Sequence, residues 1–172
     1  MPKNTPLTCG FCGQLPQAHS ESRQSDYGTR VVFCGGREWG DPAPVTAALM
    51  MLRSRHGDLI VVHGAARGAD SVAGGVARSM GITVEEFPAD WRGQGKDAGP
   101  IRNRLMLDQR PIAVYAFKDH LNWALNRGGT ENMVRIALDA GVPVTVFDQG
   151  EFVRAERTSY GARPRAVEAA DV

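Results

Sequence analysis

The sequence predicts an α/β protein with a Rossmann-like, doubly wound and mostly parallel sheet of about five or more strands and helices on both faces. Two observations lead to this fold class. Short apolar runs alternate with helical patterns through the middle of the chain. Loops rich in glycine and in charged residues follow the first four of these runs. Right-handed crossovers bring such loops to one edge of the sheet, where proteins of this class bind their ligands.

The elements follow from apolar periodicity. The second run has no polar face, which is typical of a strand buried on both sides. The predicted strands are residues 31–34, 59–62, 83–87, 112–117 and 142–147. The predicted helices begin near Pro42, Asp70, Pro100 and Thr130. Gly141 ends the last of them as a residue that accepts a left-handed conformation.

The two ends of the chain differ from its middle. Residues 1–28 are rich in Pro, Gln, Ser and Thr, which predicts a flexible segment. Residues 29–149 form the predicted domain. Residues 150–172 carry many arginines and little apolar periodicity, so we expect a polar, mobile tail.

A CxxC pair lies in the N-terminal segment. Cys9 and Cys12 have the spacing of two zinc ligands, and His19 is the nearest further candidate. A closed structural zinc site needs four ligands, so the prediction is a half-site or a zinc ion shared with a partner, and the alternatives are a redox-idle thiol pair or a disordered tail. The main domain is expected to need no cofactor. Cys34 lies inside an apolar strand and the cysteine count of 3 is odd, so we expect no disulfide framework.

Length and composition describe an ordinary folded domain. The chain has 172 residues, 42% of them hydrophobic and 23% charged, and a formal net charge of +1. Such a charge excludes a polycation, so only the local distribution of charge can indicate a partner. No apolar run approaches the roughly 20 residues of a membrane span, and the N-terminus lacks the apolar core of a signal peptide. We therefore expect a cytoplasmic protein without a membrane partner.

Glycines and cations collect in the loops at the ligand edge. A strand that enters a helix through a glycine turn directs backbone N–H groups at one spot, and two such turns, at residues 64–68 and 128–130, indicate a phosphorylated ligand. The candidate binding residues are Gly35, Gly36, Arg37, His63, Gly64, Arg67, Gly68, Asp70, Trp91, Lys96, Gly99, Arg102, Asn103, Gly128, Gly129 and Thr130.

Several of these residues also have a purely structural interpretation. His63 can hydrogen-bond a loop carbonyl, Trp91 can pack its own loop rather than stack on a base, and Asp70 can be a helix-start carboxylate. Lys96 can be a solvated surface charge. Arg102 and Asn103 lie in the first turn of a helix after a glycine-rich loop, where a solvated helix face requires no such residues.

Five motifs in fixed order resemble the YspA-type, YpsA-related branch of the SLOG superfamily over about residues 30–147. They are Gly35-Gly36-Arg37, residues 63–70, residues 88–91, residues 95–106 and Gly128-Gly129-Thr130. The resemblance implies a Rossmann-like sheet that binds a nucleotide-derived ligand such as ADP-ribose or a nucleoside monophosphate, in a homodimer or higher oligomer. The superfamily also holds the LOG phosphoribohydrolases and the DNA-binding DprA proteins.

The LOG enzymes cleave an N-glycosidic bond with an arginine, which Arg102 resembles, and a glutamate. Aligning Gly129-Thr130 with their glycine-threonine pair puts Asn132 at the glutamate position. Glu131 is one residue away and points about 100° around the helix. An amide cannot act as the carboxylate, so the resemblance favours binding over hydrolysis.

Three hypotheses follow from this reading. The first is a sensor or sequestering protein for a nucleotide derivative. The second is an N-glycosidic hydrolase in which Arg102 orients the substrate and Glu131 or Asp90 supplies the carboxylate. The third is DNA binding in the DprA manner, which the near-neutral charge disfavours and the arginines of residues 150–172 keep open.

Overall fold

The computed structural model describes residues 28–167 and shows one seven-stranded sheet with helices on both faces. The strand order is β3-β2-β1-β4-β5-β6-β7. The strands are β1 (Thr29–Gly35), β2 (Leu59–His63), β3 (Thr83–Glu86), β4 (Ala113–Phe117), β5 (Val144–Asp148), β6 (Glu151–Thr158) and β7 (Gly161–Ala166). The helices are α1 (Ala43–His56), α2 (Ala69–Ser79), α3 (Trp91–Gln94), α4 (Ala98–Leu107) and α5 (Gly129–Asp139), with a 3₁₀ turn at Gly95–Asp97. The predicted Rossmann-like α/β class is confirmed.

The first five strands are parallel, and alternate residues of β1 enter two separate cores. Val31 and Phe33 pack with the apolar residues of α1 and α2. Val32 and Cys34 face the other way, toward apolar residues of α4 and α5. This division follows from the period of two along a strand, and it explains why β1 and β2 read as continuous apolar runs.

The C-terminal region differs from the predicted mobile tail. Residues 151–166 form β6 and β7, an antiparallel extension of the sheet. Val153 and Ala155 join the core beside α5, whereas Arg154 and Glu156 alternate with them on the opposite face. A strand that is buried on one face alternates apolar and polar residues and shows no helical periodicity. The sequence of this region therefore resembles a polar tail. Residues 1–27 and 168–172 lie outside the described residues.

The order in which strands are added to the sheet changes direction between β1 and β4. Strands β2 and β3 are added on one side of β1, and β4 and β5 on the other. The loops after β1 and β4 therefore diverge and leave a crevice at the carboxyl ends of the strands. Within residues 28–167, no helix is both long and apolar enough to cross a membrane.

Candidate functional site

A cleft of about 980 Å³ opens at the point where the sheet changes direction. Its volume is in the range of small-molecule and cofactor sites. The loops after β1, β2 and β4, the segment before α3 and the first turns of α4 and α5 form its walls. The lining residues are Cys34, Gly35, Gly36, Arg37, Glu38, Trp39, Gly64, Ala65, Ala66, Arg67, Asp70, Pro88, Ala89, Trp91, Gly99, Arg102, Asn103, Met106, Lys118, Asp119, Gly129 and Thr130.

Most residues predicted from the sequence meet in this cleft. Those that line it are Gly35, Gly36, Arg37, Gly64, Arg67, Asp70, Trp91, Gly99, Arg102, Asn103, Gly129 and Thr130. Four others lie outside the lining, namely His63, Gly68, Lys96 and Gly128. Trp91 is 53% exposed, so it lies at the rim rather than in a packed loop core.

The turn after β2 is stabilised by its own side chains. The Asp70 carboxylate accepts hydrogen bonds from the amides of Gly64 at 2.9 Å and Ala66 at 3.3 Å. The Ala65 amide donates to Nδ1 of His63 at 3.1 Å. These three amides therefore do not point at a ligand, which corrects the part of the phosphate cradle predicted at residues 64–68 that rests on residues 64–66.

The imidazole of His63 is buried beneath this turn and hydrogen-bonds to it. Its ring is 2% exposed, and its partner is the Ala65 amide rather than the predicted loop carbonyl. Burial lowers the pKa of His63, and the charge of Asp70 opposes that shift. Because Nδ1 accepts a hydrogen bond, the neutral ring carries its proton on Nε2.

Arg102 reaches from α4 to the same turn. Its Nη1 donates to the Gly64 carbonyl and lies 3.6 Å from Asp70 Oδ2. A Cβ on Gly64 would overlap the Arg102 guanidinium, so any larger residue at this position would have to displace that side chain. Burial raises the pKa of Asp70, and the charge of Arg102 opposes that shift. Arg102 is 14% exposed and forms a fixed positive wall of the cleft.

Three further cations line the cleft. Arg67 pairs with Glu38, and both side chains are exposed. Lys118 pairs with the buried carboxylate of Glu131. Within residues 28–167, Arg37 has no carboxylate partner, so its charge remains uncompensated at the cleft wall. The backbone of Gly36 and Arg37 lies directly against Gly68, where a Cβ would collide with it.

The opposite wall is the start of α5. Gly129 and Thr130 line the cleft, and the first-turn amides of a helix lack acceptors within that helix. Asn103 holds α4 to this turn, since its Nδ2 donates to the Gly129 carbonyl and to Asn132 Oδ1, both at 3.0 Å. Gly128 has a φ of 99°, and a Cβ there would collide with the Glu131 carboxylate. The second predicted cradle thus lies at the start of a helix that lines the cleft, and its binding of a phosphate stays a prediction.

Of the three predicted catalytic residues, Arg102 alone lies in the cleft. Glu131 is 2% exposed, and its Oε1 pairs with Lys118 and accepts a hydrogen bond from the Asn122 amide at 3.3 Å. Asp90 is exposed and caps α3 by accepting from the Gly93 amide at 2.9 Å. Asn132 is engaged with Asn103. Neither predicted carboxylate therefore lines the cleft; the carboxylates that do line it are Glu38, Asp70 and Asp119.

Sequence reasoning did not single out several lining residues, among them Lys118, Cys34 and Trp39. Lys118 directly follows β4, so the rule that selected the other strand-end residues would also have selected it. Cys34 is 6% exposed, and burial raises the pKa of its thiol. Trp39 packs on Phe147 with ring centroids 5.5 Å apart. No sequence periodicity indicates that Cys34 and Trp39 line the cleft.

In the part of the chain that the structure describes, no three His, Cys, Asp or Glu side chains cluster as a metal site. The proposed zinc ligands Cys9, Cys12 and His19 lie outside the described residues. The zinc site stays a prediction.

Comparisons with known proteins agree with this architecture. The sequence model of the family described as YspA, cpYpsA-related SLOG matches residues 29–93. The chain is 40% identical to the Gene 61 protein of Mycobacterium phage D29 over 126 residues, which cover 69% of this chain and 95% of that protein. In fold it is similar to DNA processing protein A from Helicobacter pylori, with a TM-score of 0.50, 15% identity, and coverage of 81% of this chain and 71% of that chain. That structure was determined to explain a mode of single-stranded DNA binding.

Proposed function

We propose, since the chain belongs to the YspA, cpYpsA-related SLOG family, that its cleft binds a nucleotide or nucleotide-derived phosphorylated ligand. ADP-ribose and nucleoside monophosphates are the ligand types that we expect. The protein would act as a sensor or as a sequestering protein. Neither the family nor the fold indicates a cofactor for the main domain.

The arrangement of charge in the cleft carries this proposal. Arg37 and Arg102 stand on one side, and Lys118 with the first turn of α5 stands on the other. Cations and helix N-terminal amides together favour a phosphate, and the helix dipole adds to them. The exposed ring of Trp91 at the rim suits the stacking of a base.

Hydrolysis of an N-glycosidic bond is the competing function at this cleft. It requires a carboxylate beside the sugar, whereas Glu131 pairs with Lys118 and neither Glu131 nor Asp90 belongs to the lining. The carboxylates that do line the cleft are already engaged: Glu38 by Arg67, Asp70 by the Gly64 and Ala66 amides, and Asp119 by the Gln149 amide. Binding without turnover is therefore the function that the geometry supports better.

Native mass spectrometry of the purified protein is the first test, followed by chromatography of what heat releases. We expect a co-purifying nucleotide derivative, or binding of added AMP or ADP-ribose, that Arg37→Ala abolishes. Arg104→Ala is the matched control, since Arg104 is exposed on α4 outside the cleft. Recovery of a free base or a ribose phosphate would establish hydrolysis instead. A protein that binds none of these ligands would contradict the proposal.

Three predictions about partners and location accompany it. Single-stranded DNA is a second candidate partner, because DNA processing protein A binds it and β6 and β7 of this chain carry several arginines. Homo-oligomerisation, which the family resemblance implies, would be measured by light scattering. A cytoplasmic location would be measured by fractionation.

A further inference from the structure

A row of residues crosses four neighbouring strands on the α1 side of the sheet. Tyr115 on β4 pairs with Thr145 on β5, Thr145 with Arg154 on β6, and Arg154 with Arg165 on β7. Since direct partners share a face, these side chains lie side by side over about 14 Å. On β1 the same face is fully buried with α1 and α2, whereas Arg154 and Arg165 stay half-buried.

Positive charge dominates this face. Arg55, in the last turn of α1, and Arg154 both lie close enough to Tyr115 to act electrostatically on its hydroxyl. Neither has a carboxylate partner within residues 28–167. Arg163 and Arg165 share one carboxylate, that of Glu156, at 2.7 and 2.8 Å. We call Arg55, Arg154, Arg163 and Arg165 the basic row, and Glu156 is the acidic group that pairs within it.

Aromatic rings lie beside the basic row. Phe152 is two residues before Arg154 on β6 and therefore on the same face. It packs against its strand partner Phe147 with ring centroids 4.9 Å apart, and both rings are half-buried. Trp39 covers the other side of Phe147 and also lines the cleft. The aromatic rings thus connect the edge of the cleft to the basic row.

We propose that this face of β5, β6 and β7 binds single-stranded nucleic acid, with the basic row on the phosphates and bases against Phe152 and Phe147. An uncompensated arginine pair matches a phosphate backbone in charge, and unpaired bases offer the π-faces that aromatic rings accept. Base pairs in a duplex stack on one another and hide the π-faces of the bases, so the proposed ligand is a single strand. The proposal rests on the second candidate partner named above, and because the basic row lies outside the lining of the cleft, it does not depend on the small ligand.

The test is fluorescence anisotropy of a labelled oligothymidylate of about a dozen nucleotides, titrated with the full chain at several salt concentrations. If the basic row contacts three phosphates, the affinity should fall about 20-fold between about 50 and 200 mM salt. The double variant Arg55→Ala/Arg154→Ala should lower the affinity by about 10-fold or more and flatten the salt dependence. Phe152→Leu should lower the affinity and leave the salt dependence unchanged, since it removes stacking and no charge.

Arg92→Ala/Arg104→Ala is the charge-matched control, because both residues are exposed on other elements, and it should bind like the natural chain. An equal loss in this control would overturn the proposal by showing unspecific attraction. The proposal would also be overturned if the natural chain did not bind the oligothymidylate or bound a duplex equally well. It would be overturned too if Arg37→Ala lowered the affinity and Arg55→Ala/Arg154→Ala did not. Failure of AMP or ADP-ribose to bind would contradict the cleft proposal and leave this one untouched.

Discussion

Gly64 is the residue on which the inner wall of the cleft depends. Its missing side chain lets the Arg102 guanidinium lie on the backbone, and its amide bonds to Asp70. The sequence placed Gly64 and Arg102 in one site through the strand-end rule, but it could not show that they touch. The identity of a neighbour 38 positions away depends on how α4 packs, and no local pattern contains that information.

Gly64→Ala is therefore expected to displace Arg102 and to abolish ligand binding. Overpacking at this contact should also lower the free energy of unfolding by about 1–3 kcal/mol. Chemical denaturation with and without AMP measures both effects. Gly75→Ala is the matched control, since Gly75 is an exposed glycine of α2 with open space around it. That variant should be neutral or more stable by about 0.5–1 kcal/mol. Equal behaviour of the two variants would show that the Arg102 contact is unimportant.

His63 predicts the direction of a pH dependence. Burial lowers its pKa in the folded state, so below about pH 6.5 the unfolded chain binds a proton that the folded chain does not. Stability should rise with pH across this window and fall as the pH drops from about 7 to 5. Protonation of Nδ1 would also remove the acceptor of the Ala65 amide.

Urea midpoints at several pH values measure this effect. His63→Gln should reduce the pH dependence, whereas His56→Gln, at an exposed position at the end of α1, should retain it. A natural chain with equal midpoints at pH 5 and 7 would refute the assignment.

At the scale of elements, the five parallel strands and four of the five helices could be predicted because each combines an apolar pattern with a clear start or stop. The hairpin of β6 and β7 could not. Its strands bury one face only, and the arginines on the other face gave residues 150–172 the composition of a tail. Packing against α5, which lies elsewhere in the sequence, determines which face of the hairpin is buried.

A chain that ends at Gly150 is accordingly expected to be unstable, although the sequence suggested that it keeps the whole domain. Removing the hairpin strips Phe152 from Phe147 and leaves β5 as an unprotected edge that invites aggregation. The expected cost is at least about 2 kcal/mol of unfolding free energy, visible as a lower urea midpoint and poorer solubility. A chain that ends at Val167 is the control and should match the full chain. Equal stability of both truncations would show that β6 and β7 are dispensable.

At the scale of the whole molecule, the cleft separates two groups of elements that meet at β1 and β4. The loops after β1 and β2 belong to one group, and Lys118 with the start of α5 belongs to the other. Any ligand that binds only the folded state stabilises the domain by mass action, by about 2.7 kcal/mol at 100 times its Kd. A ligand that contacts both groups also suppresses local opening of both walls, whereas a ligand held by one loop suppresses local opening of that loop alone.

Hydrogen exchange with and without saturating ADP-ribose distinguishes these cases. We expect slower exchange in residues 36–39, in residues 64–67 and in residues 118–131 together, because the phosphate and the sugar must bridge the two walls. The amides of β7 are the internal reference, since its distance from the cleft limits any change there to the global stabilisation. Protection confined to residues 118–131 would place the ligand on α5 alone and would remove Arg37 and Arg102 from the site. Protection on both walls, lost in Arg37→Ala, would make the crevice between β1 and β4 the binding site and would leave the basic row for a separate partner.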